Sequence, residues 1–218
     1  VDTEYGRQGH GQGEVLVPGV LLGFRRWYID MPSKEDVDAG KMKDVPILKG
    51  QMGHVWADPY QVAECKPPSY GDEAKHEEPV PHWPCTCGIY ASYHPDSYDQ
   101  SGTYTFAGVV EAQGRVLCGT KGFRAGAARL RALYIGAEPE HSMIYEAQEF
   151  ADALKAAMDA VGLKAPTDEP MERYGWLRTE VIRSNEAYND VELYDSWDKF
   201  IADFAQSDLS GLGIEVER

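Results

Sequence analysis

The sequence predicts an α+β protein, in which an N-terminal, mostly antiparallel β domain is followed by C-terminal helices packed on it. Three observations carry this expectation. Up to residue 135, short runs rich in aromatic and β-branched residues alternate with segments of Gly, Pro and polar residues, the pattern of strands and turns. Beyond that point the apolar spacing changes to a helical period, at Ala147, Phe150, Ala151, Leu154, Met158 and Val161, with Gly162 as a stop signal. Finally, 218 residues of which 43% are hydrophobic, with 5 Trp, 13 Tyr and 6 Phe, suffice for one domain with an appendage and exclude a wholly disordered chain.

Residues 1–14 are Gly-rich and polar and read as a flexible N-terminus. Gly9, Gly11 and Gly13 do not form a phosphate loop, because no strand precedes them and no Gly-Lys-Ser/Thr follows. Residues 15–30, VLVPGVLLGFRRWYID, read as one or two strands interrupted by Arg25 and Arg26, and residues 31–45 as a loop. The apolar pieces at 47–48, 54–56 and 60–63 suggest further short strands. Residues 66–84 are proline-rich and show no period, so they form a long loop of the kind that usually carries function in a compact domain. Residues 85–93 give a short strand after a tight turn, and residues 104–118 read as two strands joined at Gln113-Gly114 as a hairpin. Residues 127–135 form another strand with Arg129 and Arg131 on one face. After the helix that ends at Gly162, residues 164–172 form a linker. A second helix is marked by Tyr194, Trp197, Phe200, Ile201 and Phe204, with Asp195 or Ser196 as its N-cap. The expected organisation is a flexible segment 1–14, a β-rich domain 15–140 and an acidic helical part 141–218.

The charge excludes some functions. With 21 basic against 36 acidic residues the net charge is −15, which argues against direct binding to nucleic-acid backbones. The excess is uneven: residues 166–218 hold 13 acidic and 5 basic residues, net −8, whereas residues 107–133 hold Arg115, Lys121, Arg124, Arg129 and Arg131 against Glu111, net +4. Intramolecular balance explains this split most simply. A sharper reading places an anion or partner site at Arg124, Arg129 and Arg131. No apolar run reaches the roughly 20 residues of a membrane span, so no membrane insertion is expected. The start of the chain shows no secretory pattern. The expected location is therefore the cytoplasm, with Cys65, Cys85, Cys87 and Cys118 reduced.

The best chemical constellation is Cys65, His76, Cys85 and Cys87, spaced Cys-x10-His-x8-Cys-x-Cys. Zinc takes four such borderline ligands in a tetrahedron, and a metal would tie down a loop too polar to hold itself. The usual Cys-x2-4-Cys knuckle is missing, His82 and Cys118 are rival ligands, and the competing reading leaves Cys65 and Cys87 as small buried residues with no metal bound. The candidate cofactor is thus a structural zinc. A catalytic zinc has only Glu77 or Glu78 nearby as a base, and neither Gly-x-Ser-x-Gly nor His-Glu-x-x-His occurs. Trp83, in the proline-rich loop, marks a binding surface if exposed.

Together, GFRRW (23–27), Ala-Glu-Cys (63–65), HEEPVP (76–81), CTCGIYA (85–91), GRV (114–116) and GFRA (122–125) resemble a group of small uncharacterised actinobacterial and actinobacteriophage proteins. The resemblance covers residues 20–135 and leaves 136–218 outside. It implies an actinobacterial or phage origin and favours His76 over His82 as the ligand, while Cys118 has no counterpart. The expected function is a non-enzymatic interaction protein, a bacteriophage-encoded factor acting on a host protein. The alternatives are a small-ligand-binding protein or enzyme using the proline-rich loop and the Cys/His cluster, and an acidic nucleic-acid mimic.

Overall fold

A computed structural model describes residues 20–30, 47–50, 55–65, 76–77, 79–83, 85–95, 105–135, 179, 182–183 and 186–204. The expected segments 1–14, 31–45 and 164–172, the helix ending at Gly162, and Trp176 lie outside the described residues. What is described is mostly strand, in one mixed sheet, with a C-terminal helix. At this level the α+β expectation holds.

The strands are β1 (Leu22–Asp30), β2 (Ile47–Gly50), β3 (Val55–Trp56), β4 (Tyr60–Val62), β5 (Ile89–Ser92), β6 (Thr105–Cys118), β7 (Gly122–Tyr134) and β8 (Glu192–Tyr194), and the helix is α1 (Trp197–Phe204). The centre of the sheet is β7. Along one edge it pairs with β6 from Cys118↔Phe123 to Ala107↔Tyr134. Along the other it pairs in turn with β5 (Ile89↔Ala125), β4 (Gln61↔Ala128) and β8 (Leu133↔Leu193). Only the β7–β8 pair is parallel. The far edge of β6 pairs with β1, and β1 meets β5 at Phe24↔Ser92, so the path β1–β6–β7–β5 returns on itself. Closure of this kind protects strand edges that would otherwise offer unpaired amides to other chains. β2 and β3 extend from the end of β1.

The period-2 alternation of the strands divides the apolar residues between two faces. One face carries Trp27, Phe106, Val110, Phe123, Leu130 and Leu133, joined by Leu48, Trp56, Ile182, Tyr188 and Val191. Here the rings of Trp27 and Trp56 meet edge to face, with centroids 5.2 Å apart. Gly108 is required beside them, because a Cβ there would lie 2.8 Å from the Trp27 ring and 2.6 Å from the Ala132 carbonyl oxygen. The opposite face carries Phe24, Ala107, Val109, Ala132 and Tyr134, and α1 covers it with the fully buried Phe200. Phe200 sits 5.9 Å from Phe24 and 5.5 Å from both Tyr194 and Trp197.

The fold departs from the local sequence pattern at two places. Ser196 rather than Asp195 caps α1, its Oγ accepting from the Lys199 amide at 3.4 Å, and Tyr194 belongs to β8 instead of the helix. The expected hairpin at Gln113-Gly114 is overturned: β6 runs unbroken through it, and the turn falls at 119–121, where the Gly119 amide bonds to the Gly122 carbonyl at 2.7 Å. Gly114 takes φ 70° at a register shift between Gln113 and Val116, so its left-handed backbone makes a bulge within a strand rather than a chain reversal.

Candidate metal centre

The shared edge of β7 brings the cysteines together. β4 pairs with residues 127–129 of β7, and the Ala63 amide extends the contact to the Gly126 carbonyl at 2.8 Å, which leads the chain to a buried Cys65 three residues beyond β4. β5 pairs with residues 122–125 of the same edge, so the turn carrying Cys85 and Cys87 arrives next to it. Gly88 follows the turn at φ 122°, a conformation that suits glycine, and a Cβ there would crowd Pro81 at 3.1 Å and Arg124 at 3.2 Å. Residues 76–77 and 79–83 of the proline-rich loop are drawn over this edge. Pro81 is buried, and the Arg115 guanidinium donates to the Pro79 carbonyl at 3.4 Å.

The thiol sulfurs of Cys65, Cys85 and Cys87 and a ring nitrogen of His76 all lie within 4.8 Å of one another, and this cluster can hold a metal ion. Cys65 Sγ and Cys85 Sγ are 3.7 Å apart, and His76 Nε2 and Cys87 Sγ 3.1 Å. Around zinc, with Zn–S of about 2.3 Å and Zn–N of about 2.0–2.1 Å, tetrahedral edges come to about 3.8 Å between two sulfurs and about 3.5 Å between sulfur and nitrogen. The sulfur pair matches that edge, and the sulfur–nitrogen pair needs to open by a few tenths of an ångström. Backbone amides already face the sulfurs: Cys87 N donates to Cys85 Sγ and His82 N to Cys87 Sγ, each at 3.4 Å. Such N–H···S bonds favour thiolate over thiol and orient the ligands.

The thiols respond unequally. Burial pushes Cys85 up, but hydrogen bonds from the Cys87 backbone, then from Cys87, Cys65 and His76 side chains, outweigh it, and its net shift is downward. Burial pushes Cys87 up to about 11. The His82 amide opposes this, while the neighbouring Cys85 and Cys65 sulfurs add to it. Sulfurs crowded this closely resist joint ionisation on their own, whereas a divalent cation between them removes the conflict.

Each expected site residue has a definite place. The ring of His76, not that of His82, belongs to the cluster. His82 lies with its ring 4.7 Å from that of His76 and contributes its amide. Cys118 ends β6, outside the cluster. Arg124 is 6% exposed and points into the Cys-x-Cys turn, donating to the carbonyls of Cys85 and of Cys87, the latter at 3.2 Å. Arg129 and Arg131 are exposed positions of β7, on either side of the buried Leu130, and Arg131 pairs with Glu111 at 3.4 Å. Trp83 is 51% exposed. Tyr90 was not singled out from the sequence: its hydroxyl donates to the Thr86 carbonyl at 2.6 Å, its ring lies 5.7 Å from the Arg124 guanidinium, and its carbonyl accepts from Arg25 at 2.6 Å. The only sequence signal for it was its place three residues beyond Cys87 on the strand that leaves the turn.

No family model, curated protein or solved structure matches the chain. Among the described residues no helix is long and apolar enough to cross a membrane.

Proposed function

We propose that the protein is a non-enzymatic interaction module in which a structural zinc, held by Cys65, His76, Cys85 and Cys87, fixes the proline-rich loop as a recognition surface. The observation that carries this reading is the convergence of four protein ligands within 4.8 Å, because four protein ligands fill a tetrahedron and leave no position for a substrate or a water. A metal of this kind supplies folding energy rather than chemistry. The fixed loop then presents Trp83, 51% exposed and one residue beyond the amide that faces Cys87. An aromatic side chain held in place at low entropy cost suits a pocket on a partner protein. The resemblance to actinobacteriophage proteins suggests the setting, a factor acting on a host protein.

Elemental analysis of protein purified from metal-replete medium tests the metal. The expected result is one equivalent of zinc per chain, lost in Cys85→Ala and His76→Ala. Less than a tenth of an equivalent in the parent protein overturns the reading.

A further inference from the structure

Arg124 presents a problem that the metal reading resolves. Its guanidinium is buried, and among the described residues no carboxylate pairs with it. Its partners are the carbonyls of Cys85 and Cys87 and the face of Tyr90. These are dipoles and a ring quadrupole, which orient a cation but do not neutralise it. A buried charge without a counter-charge is strongly disfavoured. The peptide groups it grips belong to two of the proposed metal ligands, which holds the guanidinium beside the cluster, and the Tyr90 hydroxyl also faces it.

Resting on the zinc reading above, we infer that the centre binds a divalent cation as a tri-thiolate complex of net charge −1, and that Arg124 is its built-in counter-ion. The charge count is direct. Metal ligation takes cysteine as thiolate and histidine as neutral imidazole, so three thiolates and one imidazole around a +2 ion sum to −1. One guanidinium cancels that charge. A +1 ion such as Cu(I) would leave −2 in the same pocket, twice what Arg124 balances. Arginine suits the position for a second reason. One of its terminal nitrogens, Nη1, donates to both carbonyls of the turn, so the residue that balances the charge also holds Cys85 and Cys87 in register. β7 fixes it there, since Arg124 pairs with Tyr90 of β5 and with Leu117 of β6.

The test is zinc affinity by competition with a chromophoric chelator, for the full chain and for Arg124→Gln and Arg124→Lys. The glutamine variant keeps a donor but no charge and should bind zinc roughly 10–100-fold more weakly, the range for lost partners of metal ligands. The lysine variant keeps the charge and should recover most of that loss. Glutamine binding within twofold of the parent protein overturns the inference. So does a lysine variant as weak as the glutamine one, which would reduce Arg124 to a carbonyl clamp. A second measurement does not depend on the variants folding: in labelled parent protein, the Arg124 Nε–H resonance should shift and gain protection from exchange when zinc is added. An unchanged resonance in a zinc-loaded sample overturns the counter-ion role. A parent protein that takes up no zinc overturns the metal reading itself, whereas zinc uptake with indifferent Arg124 variants overturns only this inference.

Discussion

Cutting the proposed metal tie at Cys85 should destabilise the protein by an amount set by the loop it closes. A metal joining Cys65 to Cys85 closes a loop of 21 residues, counted with both ends. The chain-entropy relation used for covalent cross-links gives about 3 kcal/mol for a loop of that size. For a chain in this size range, 1 kcal/mol corresponds to about 2–4 °C, so Cys85→Ala should melt roughly 6–12 °C below the zinc-loaded parent protein. Melting followed by circular dichroism, with zinc and with a chelator, separates a metal effect from simple packing loss. In chelator the parent protein should fall to the level of the variant, and the variant should be indifferent to chelator, because binding to the folded state alone raises stability and this variant lacks the site. If chelator moves the parent melting point by less than about 2 °C, or if the variant is equally weakened relative to the parent in chelator, the cluster is not a metal tie.

Phe200→Ala removes the one fully buried ring by which α1 holds the sheet, and should cost about 3–5 kcal/mol in urea unfolding; a loss under 1 kcal/mol would mean that α1 is not docked as described. Burial pushes the Tyr188 hydroxyl up to about 12, with a backbone hydrogen bond near Leu48 opposing and Asp58 adding to the rise. Because the folded value lies above the unfolded one of about 10, the stability it contributes is full below pH 10 and is lost as pH rises toward 12. Melts across that window should therefore fall more steeply for the parent protein than for Tyr188→Phe, and identical slopes would refute the assignment. Trp83→Ala should leave the melting point within the change set by about 0.5 kcal/mol while abolishing cross-linking of a partner from a photo-reactive residue placed at the exposed position of Thr86; an unaltered cross-link would remove Trp83 from the recognition surface.

The residue types of the Cys/His cluster were legible in the sequence, because Cys-x-Cys beside a proline-rich loop with a histidine has few chemical uses. Which histidine completes the set is a different kind of fact. His76 and His82 are six positions apart, and only the folding of the loop against β7 places the ring of one and the amide of the other at the sulfurs. Arg124 shows the same limit. Sequence marked it as a fixed cation within a locally basic stretch. Its neighbours, the carbonyls of residues 85 and 87, lie on another strand, and pairing of β5 with β7 created that contact.

By itself, the sequence determined the local matters: that the chain is strand-rich up to residue 135, that a helix runs through Trp197, Phe200, Ile201 and Phe204, and that its start needs a hydroxyl or carboxylate cap. Those follow from period, propensity and capping, which act within a few residues of the chain. The tertiary structure decided the rest. It made Gly114 a bulge within a 14-residue strand, because β6 has partners on both sides of that point and a reversal there would forfeit them. It made β7 the shared edge of three other strands and so gathered Cys65, Cys85 and Cys87. Strand partners are chosen by contacts between residues far apart in the chain, and a linear pattern records which face is apolar without recording which strand will cover it.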